Sequence, residues 1–350
     1  MRILLLALAL LLPAAAPTYP VVTPGKPFAF PRDHGAHPTF RTEWWYVTGW
    51  LKTPEGKDLG FQVTFFRTRP PTDPANPSAF APGQILFAHA ALSDPALGKL
   101  QHSQRIARAG FGLAETSART TDIVLDDWRM KRTPDGRIRT SIAGSEFAFE
   151  LTLTPSQPEL LQGDRGYSRK GPAPADASYY YTLPHLKLAG TLTRAGTPVT
   201  VTGQAWLDRE WSSNYLNPRA VGWDWLGLNM DDGSALTLFR IRDAKGAAVW
   251  AGGSHRTRTG QQTTLAPSDV SFSPGRLWRS KATGASYPVA PTVTVMLRGK
   301  PLTLRIKPLF DNQELDSRGG GGPVYWEGAV TVPGGRGYLE LTGYQSPLKM

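Results

Sequence analysis

The chain has 350 residues, a net charge of +11 from 39 basic and 28 acidic side chains, and no cysteine. That length is enough for two domains with separate cores, and the missing cysteine excludes disulfides, thiolate catalysis and a lipid anchor on cysteine. The bases are scattered and no nucleic-acid motif accompanies them, so the charge reads as a solvated surface with no nucleic-acid partner; contact with a membrane surface through anionic head groups is the alternative.

Met1-Arg2, the apolar run Ile3 to Leu12 and Ala14-Ala15-Ala16 read as a signal peptide over 1–18. The mature chain is therefore expected to be periplasmic or secreted. Asp33-His34-Gly35-Ala36-His37 holds metal-type side chains on a loop, in a number common without metal, and no metal is expected. From there the pattern is β almost throughout. Alternating runs cover Trp44 to Leu51, Leu59 to Arg67, Ile138 to Ser141, Phe147 to Thr154 and Leu188 to Thr193. Later runs cover Val199 to Leu207, Ala235 to Ile241, Thr292 to Leu297 and Leu302 to Ile306. Thr53-Pro54-Glu55-Gly56, Thr133-Pro134-Asp135-Gly136 and Met230-Asp231-Asp232-Gly233 read as hairpin turns. The Gly/Pro/Ala-rich stretch Gly163 to Ser178 is the predicted junction, giving domains 19–175 and 176–350. An imperfect repeat joins the halves: Val63-Thr64-Phe65-Phe66-Arg67 matches Leu236-Thr237-Leu238-Phe239-Arg240, each after a Trp-rich strand. Trp206-Leu207-Asp208 and Tyr338-Leu339-Glu340 also each set an aromatic two places before an acid.

Seven of the 11 tryptophans lie in two clusters that interleave indoles with acids. One runs from Glu43 to Trp50; the other comprises Trp206 to Trp211 and Trp223-Asp224-Trp225. An acid held against rings is poorly solvated, so it keeps its proton and can donate it, while the rings shield a developing cation. The plainer reading is strand tryptophans beside surface salt bridges. Alternation puts Trp206, Asp208 and Glu210 on one face of their strand. It likewise puts Trp44, Tyr46, Thr48 and Trp50 together, opposite Glu43, Trp45 and Val47. If those first sets line a barrel interior, Asp208 and Glu210 are acids in an aromatic cavity; the opposite choice puts Glu43 inside. Asp208, Glu43 and Glu210 are thus the candidate catalytic groups. Trp44, Tyr46, Trp206, Trp223 and Trp225 are candidate ligand walls. Tyr179 and Tyr181, from three consecutive tyrosines, and His89, in an apolar strand, are further ligand-facing candidates. No G-x-S-x-G elbow, H-E-x-x-H, P-loop or dinucleotide fingerprint is present.

The segment Phe30 to Trp50 resembles the N-terminal signature of the AttH-like secreted proteins. Trp206-Leu207-Asp208-Arg209-Glu210-Trp211 and the closing Gly337-Tyr338-Leu339-Glu340-Leu341-Thr342-Gly343-Tyr344 fit the same family, over essentially the whole mature chain. That family is grouped with the carotenoid 1,2-hydratases and is often labelled as secreted hydrolases. The resemblance implies an all-β chain of two tandem lipocalin-like antiparallel β-barrel domains. It also implies a hydro-lyase chemistry, with Asp208 at the position of the hydratases' strand acid. The hydratases have Tyr-x-Asp where this chain has Trp206-Leu207-Asp208, and a His and Trp near Tyr179 to Tyr181. The expectation is an exported protein that takes a hydrophobic small molecule, isoprenoid or lipid, and adds water or cyclises at a carbon–carbon double bond without a cofactor. The alternatives are a non-catalytic lipid or pigment carrier beside a membrane transporter, and a hydrolase.

Overall fold

The computed structural model describes residues 18–348 apart from 73–75 and 79, so the predicted signal segment lies outside the described residues but for Thr18. Among the described residues the chain is strands and three short 3-10 turns, and no helix is long and apolar enough to cross a membrane.

The first sheet begins with β1 (Thr42–Lys52), β2 (Asp58–Thr68), β3 (Ile85–Ser93) and β4 (Leu100–Arg108). It continues through β5 (Ala114–Thr116), β6 (Asp122–Leu125), β7 (Trp128–Arg132), β8 (Ile138–Ala143) and β9 (Phe147–Thr154). The short β10 (Leu160–Leu161) and β11 (Tyr167–Arg169) pair with β12 (Ala177–Arg194), which is followed by β13 (Thr197–Ser212). The order β4-β3-β2-β1-β13-β12-β9-β8-β7-β6-β5 makes a nearly closed antiparallel barrel of 11 strands. β9 shows why these residues form strands: Phe147, Phe149, Leu151 and Leu153 turn into the core while their neighbours meet solvent or the rim.

The three predicted hairpin turns close as expected. Gly56, Gly136 and Gly233 each take positive φ, with their N–H groups donating to Thr53, Thr133 and Met230 carbonyls. The predicted junction at 175/176 does not divide the sheets. β12 and β13 follow it yet pair with β9 and β1, and the change of sheet falls between Ser212 and Ala220. The Gly/Pro-rich composition instead belongs to a loop laid along β12, tied to it through β11.

The second half holds β14 (Ala220–Met230), β15 (Ala235–Asp243), β16 (Ala248–Arg256) and β17 (Gln262–Leu265). Next come β18 (Val270–Arg279), β19 (Ser286–Leu297), β20 (Lys300–Arg305) and β21 (Lys307–Pro308). β22 (Glu314–Asp316), β23 (Val324–Val332) and β24 (Gly335–Leu341) complete it. Here the described residues do not show the expected second barrel. An eight-stranded sheet, β17-β16-β15-β14-β24-β23-β21 with β22 on β23, packs over a separate three-stranded sheet, β18-β19-β20. A core including Leu226, Leu238, Tyr287, Val293, Trp326 and Leu339 fills the space between them.

The eight-stranded sheet lies against the outside of the barrel. This contact explains why β1 is buried without a break from Glu43 to Leu51: one face looks into the barrel and the other onto the second sheet. Gly60 permits the approach, because a Cβ there would sit 2.5 Å from the Tyr338 hydroxyl and 2.7 Å from the Ala329 Cβ. The Trp50 indole crosses the joint to donate to the Gly337 carbonyl at 3.1 Å.

Candidate active site between the sheets

The ambiguity of faces resolves in an arrangement that alternation alone does not specify. Trp45, Val47, Leu207, Arg209 and Trp211 point into the barrel, while Trp44, Tyr46, Asp208 and Glu210 point out of it, towards the second sheet. Between the sheets is a cavity of about 290 Å³, close to the lower end of the ~300–1,000 Å³ range of ligand pockets. Its aromatic walls are Trp44, Tyr46, Phe66, Phe87, Tyr215, Trp223, Trp225, Phe239 and Tyr325. Four acids face it: Asp208 and Glu210 from β13, Glu327 from β23 and Glu340 from β24.

Asp208 is 3% exposed and forms no salt bridge among the described residues, although Lys170 lies near enough to feel its charge. Its carboxyl accepts hydrogen bonds from Tyr180 at 2.6 Å, Thr182 at 2.5 Å and the Trp206 indole at 2.8 Å. Burial raises its pKa to about 7 against the opposing pull of those three donors, with the Glu210 charge adding to the rise. Register explains the donors: Thr182 lies opposite Asp208, and Tyr180 lies opposite Glu210 on the same face of β12. Glu210 is differently occupied, by Lys170 at 3.0 Å, Tyr215 at 3.1 Å and Ser178. Lys170 comes from the loop after β11, and burial lowers its pKa against the attraction of Glu210.

On the facing wall, burial lifts Glu340 to about 7, opposed by the Trp223 indole that donates to it at 3.1 Å. Glu327 lies opposite Glu340 in register and is pushed well above the ordinary carboxylate range by burial and by the Glu340 charge. Neither Glu327 oxygen has a partner in good hydrogen-bond geometry, although the Tyr46 hydroxyl is close enough to pull its pKa down against the rise from burial.

The sequence repeat becomes a pairing rule at this site. Arg67 lies opposite Glu43 and Arg240 opposite Asp224, and each arginine forms an ion pair with its acid. One residue along, Trp44 sits between Phe66 and Glu210, as Trp225 sits between Phe239 and Glu340. The matching of Asp208 with Glu340 is therefore two residues out of step; by register Glu340 answers to Glu210.

A family model described as AttH-like matches residues 21–344. The chain belongs to the AttH-like family. This AttH-like protein is 55% identical to one from Nitrosomonas europaea, provisionally assigned as AttH, whose crystal structure matches with a TM-score of 0.86 over 93% of this chain and 100% of that one. Kievitone hydratase from Nectria haematococca matches with a TM-score of 0.67 at 15% identity, over 95% of this chain and 98% of that one. CghA, solved with Sch210972, matches at 0.51 and 14% identity, over 87% of this chain and 89% of that one. The last two share the fold. No curated protein matches the chain.

Of the residues singled out from sequence, Asp208, Glu210, Trp44, Tyr46, His89, Trp223 and Trp225 meet at the AttH-like protein's cavity. Trp206 stands behind Asp208 and holds it. Glu43 does not reach the site. It is enclosed on the barrel side by Arg67, Arg209 and the His37 backbone N–H, and Arg209, the His37 bond and Arg67 outweigh burial to hold its pKa far below the usual range. Tyr179 and Tyr181 also turn into the barrel, Tyr179 against Trp211 and Tyr181 bonded to His34 at 2.7 Å. The middle tyrosine, Tyr180, is the one that reaches Asp208. His37 bonds Asp33 at 3.0 Å and stacks on Trp211, so the Asp33–His37 loop plugs the barrel end. His89 bonds Tyr325 at 2.8 Å, and burial, with His102 adding, lowers it to about 3, so it is neutral. Reading the sequence missed Lys170, Tyr180, Tyr215, Tyr325, Glu327 and Glu340 as site residues. The aromatic–x–acid echo at Tyr338–Glu340 was the available signal for Glu340.

Proposed function

We propose that this AttH-like protein binds an apolar molecule between its sheets and adds water, or closes a ring, at a carbon–carbon double bond with Asp208 as the proton donor. The observation that carries this reading is a buried carboxyl, free of any arginine or lysine bond, titrating near neutrality beside an aromatic cavity. Glu210 is the poorer donor because Lys170 holds its carboxylate. In hydration, Asp208 gives its proton to one alkene carbon and the cation develops on the other, flanked by Trp44, Trp223 and Trp225. Water attacks that carbon and passes its extra proton to Glu340, whose own affinity for a proton lies in the same range. The net change is addition of one water, and proton return from Glu340 to Asp208 resets the site. Kievitone hydratase, an enzyme whose name states water addition, supports the reaction class through shared architecture. The signal-like N-terminus supports a site of action outside the cytoplasm.

The test is incubation with lipid extract of the host in heavy-oxygen water, followed by mass spectrometry of the bound species. A labelled alcohol with the wild type, and none with Asp208→Asn at similar ligand affinity, is expected. Turnover retained by Asp208→Asn would remove Asp208 from the donor role. A bound molecule left unlabelled and unchanged would point to a carrier.

A further inference from the structure

We infer that Glu327, with Tyr46 and Thr64, forms a receiving site for a neutral oxygen of the substrate, so that the ligand is an oxygenated apolar molecule with a hydroxyl or carbonyl group. This rests on the preceding reading that the cavity takes an apolar ligand, and it narrows the class. Glu327 is 1% exposed, lines the cavity, and has both carboxyl oxygens without a well-formed hydrogen bond. Tyr46 and Thr64 line the same cavity, and the Tyr46 hydroxyl and Thr64 Oγ1 are likewise buried without a well-formed hydrogen bond, Tyr46 lying close to Glu327 itself. Buried polar atoms in folded proteins nearly always find partners, so four atoms without a well-formed partner, two from each side of one cavity, mark a place built for something else to bond.

The chemistry of the four atoms selects the guest. Burial and the Glu340 charge push Glu327 well above the ordinary carboxylate range and so favour its protonated form, which offers one O–H donor and an acceptor. Tyr46 and Thr64 each add a hydroxyl that serves either way. A carbonyl or hydroxyl oxygen satisfies such a set, whereas a pure hydrocarbon leaves it wholly unmet. An anionic head group fits poorly beside Glu327, because Asp208, Glu210, Glu327 and Glu340 face the cavity, the buried cation there, Lys170, already holds Glu210, and the other cation lining it, Arg41, is solvent-exposed. An ammonium group would need Glu327 to ionise where burial opposes it.

The test titrates a matched set of probes, farnesol, farnesene, farnesoic acid and farnesylamine, into the full mature protein at pH 7, followed by tryptophan fluorescence. Farnesol is expected to bind about tenfold more tightly than the other three, the worth of one good hydrogen bond. Glu327→Leu should abolish that advantage and leave farnesene unchanged, while Glu327→Gln, which keeps a donor and an acceptor, holds farnesol within about threefold. Glu327→Leu should melt no lower than the wild type, since it removes an unmet buried polar group, so lost binding is not lost fold. The inference is overturned if the acid or the amine binds most tightly, or if Glu327→Leu keeps the preference for farnesol. A crystal structure in which ordered water bridges Glu327, Tyr46 and Thr64 while farnesol sits elsewhere would also overturn it. Equal binding of all four probes would sink this inference and leave the apolar-ligand reading standing. No binding by any would remove both.

Discussion

Asp208→Asn should make the protein more stable, and by an amount that depends on pH. Unfolded, this carboxyl titrates near 3.8; folded, at about 7. Below the lower value both states hold the proton, and the residue contributes nothing that varies with pH. Between the two, the unfolded chain releases a proton that the folded one keeps, so each step up in pH favours unfolding. Above about 7 the penalty is complete, and at ~1.4 kcal/mol per pH unit it amounts to about 4 kcal/mol. Asparagine cannot ionise and escapes this cost. Its side-chain oxygen can still accept from Thr182 and Trp206, while the bond from Tyr180 is lost or reversed, a change independent of pH. Urea melts followed by tryptophan fluorescence, run on both proteins from pH 4 to 8, give the difference directly. The gap between mutant and wild type should widen in the mutant's favour by several kcal/mol over that range. A gap constant with pH would mean that Asp208 ionises normally, and the argument for it as a proton donor would fail without any substrate having been identified.

Two further outcomes follow from the packing. Glu43→Gln strands Arg67 and Arg209, both fully buried, and should cost about 3–5 kcal/mol, read in the same melts; a loss under about 1 kcal/mol would show that the two guanidiniums are satisfied by carbonyls alone. Gly60→Ala drives a methyl into Tyr338 and Ala329 and should cost about 1–3 kcal/mol in a thermal melt; an unchanged melting temperature would mean that the sheets separate freely at that point.

The parts of this protein legible in its sequence are those set locally. Alternation in β9 and the Gly56, Gly136 and Gly233 turns depend on neighbours a few residues away, and each forms as the sequence implies. The resemblance carried by Phe30 to Trp50 led to the family, and Asp208 was found because indoles bracket it. What escaped depends on pairings between distant strands. Nothing near Tyr179-Tyr180-Tyr181 states which ring faces Asp208; that follows from β12 lying against β13 with Thr182 opposite the acid. Glu327 stands in an ordinary strand, and only the packing of β23 against β2 of the barrel gives it a role. Glu43 misled for a related reason. A carboxylate beside tryptophans looks the same from either side of a strand until one side proves to hold two arginines.

The joint between the sheets also has a bearing on how such proteins diversify. No strand of the barrel pairs with a strand of the eight-stranded sheet, so the two ladders of backbone bonds are independent of the chamber they enclose. A small slide or tilt of one slab on the other would reshape that chamber while both cores and every ladder stayed whole. Selection for a new guest can therefore act on a seam of side chains, with the folding of each slab left undisturbed.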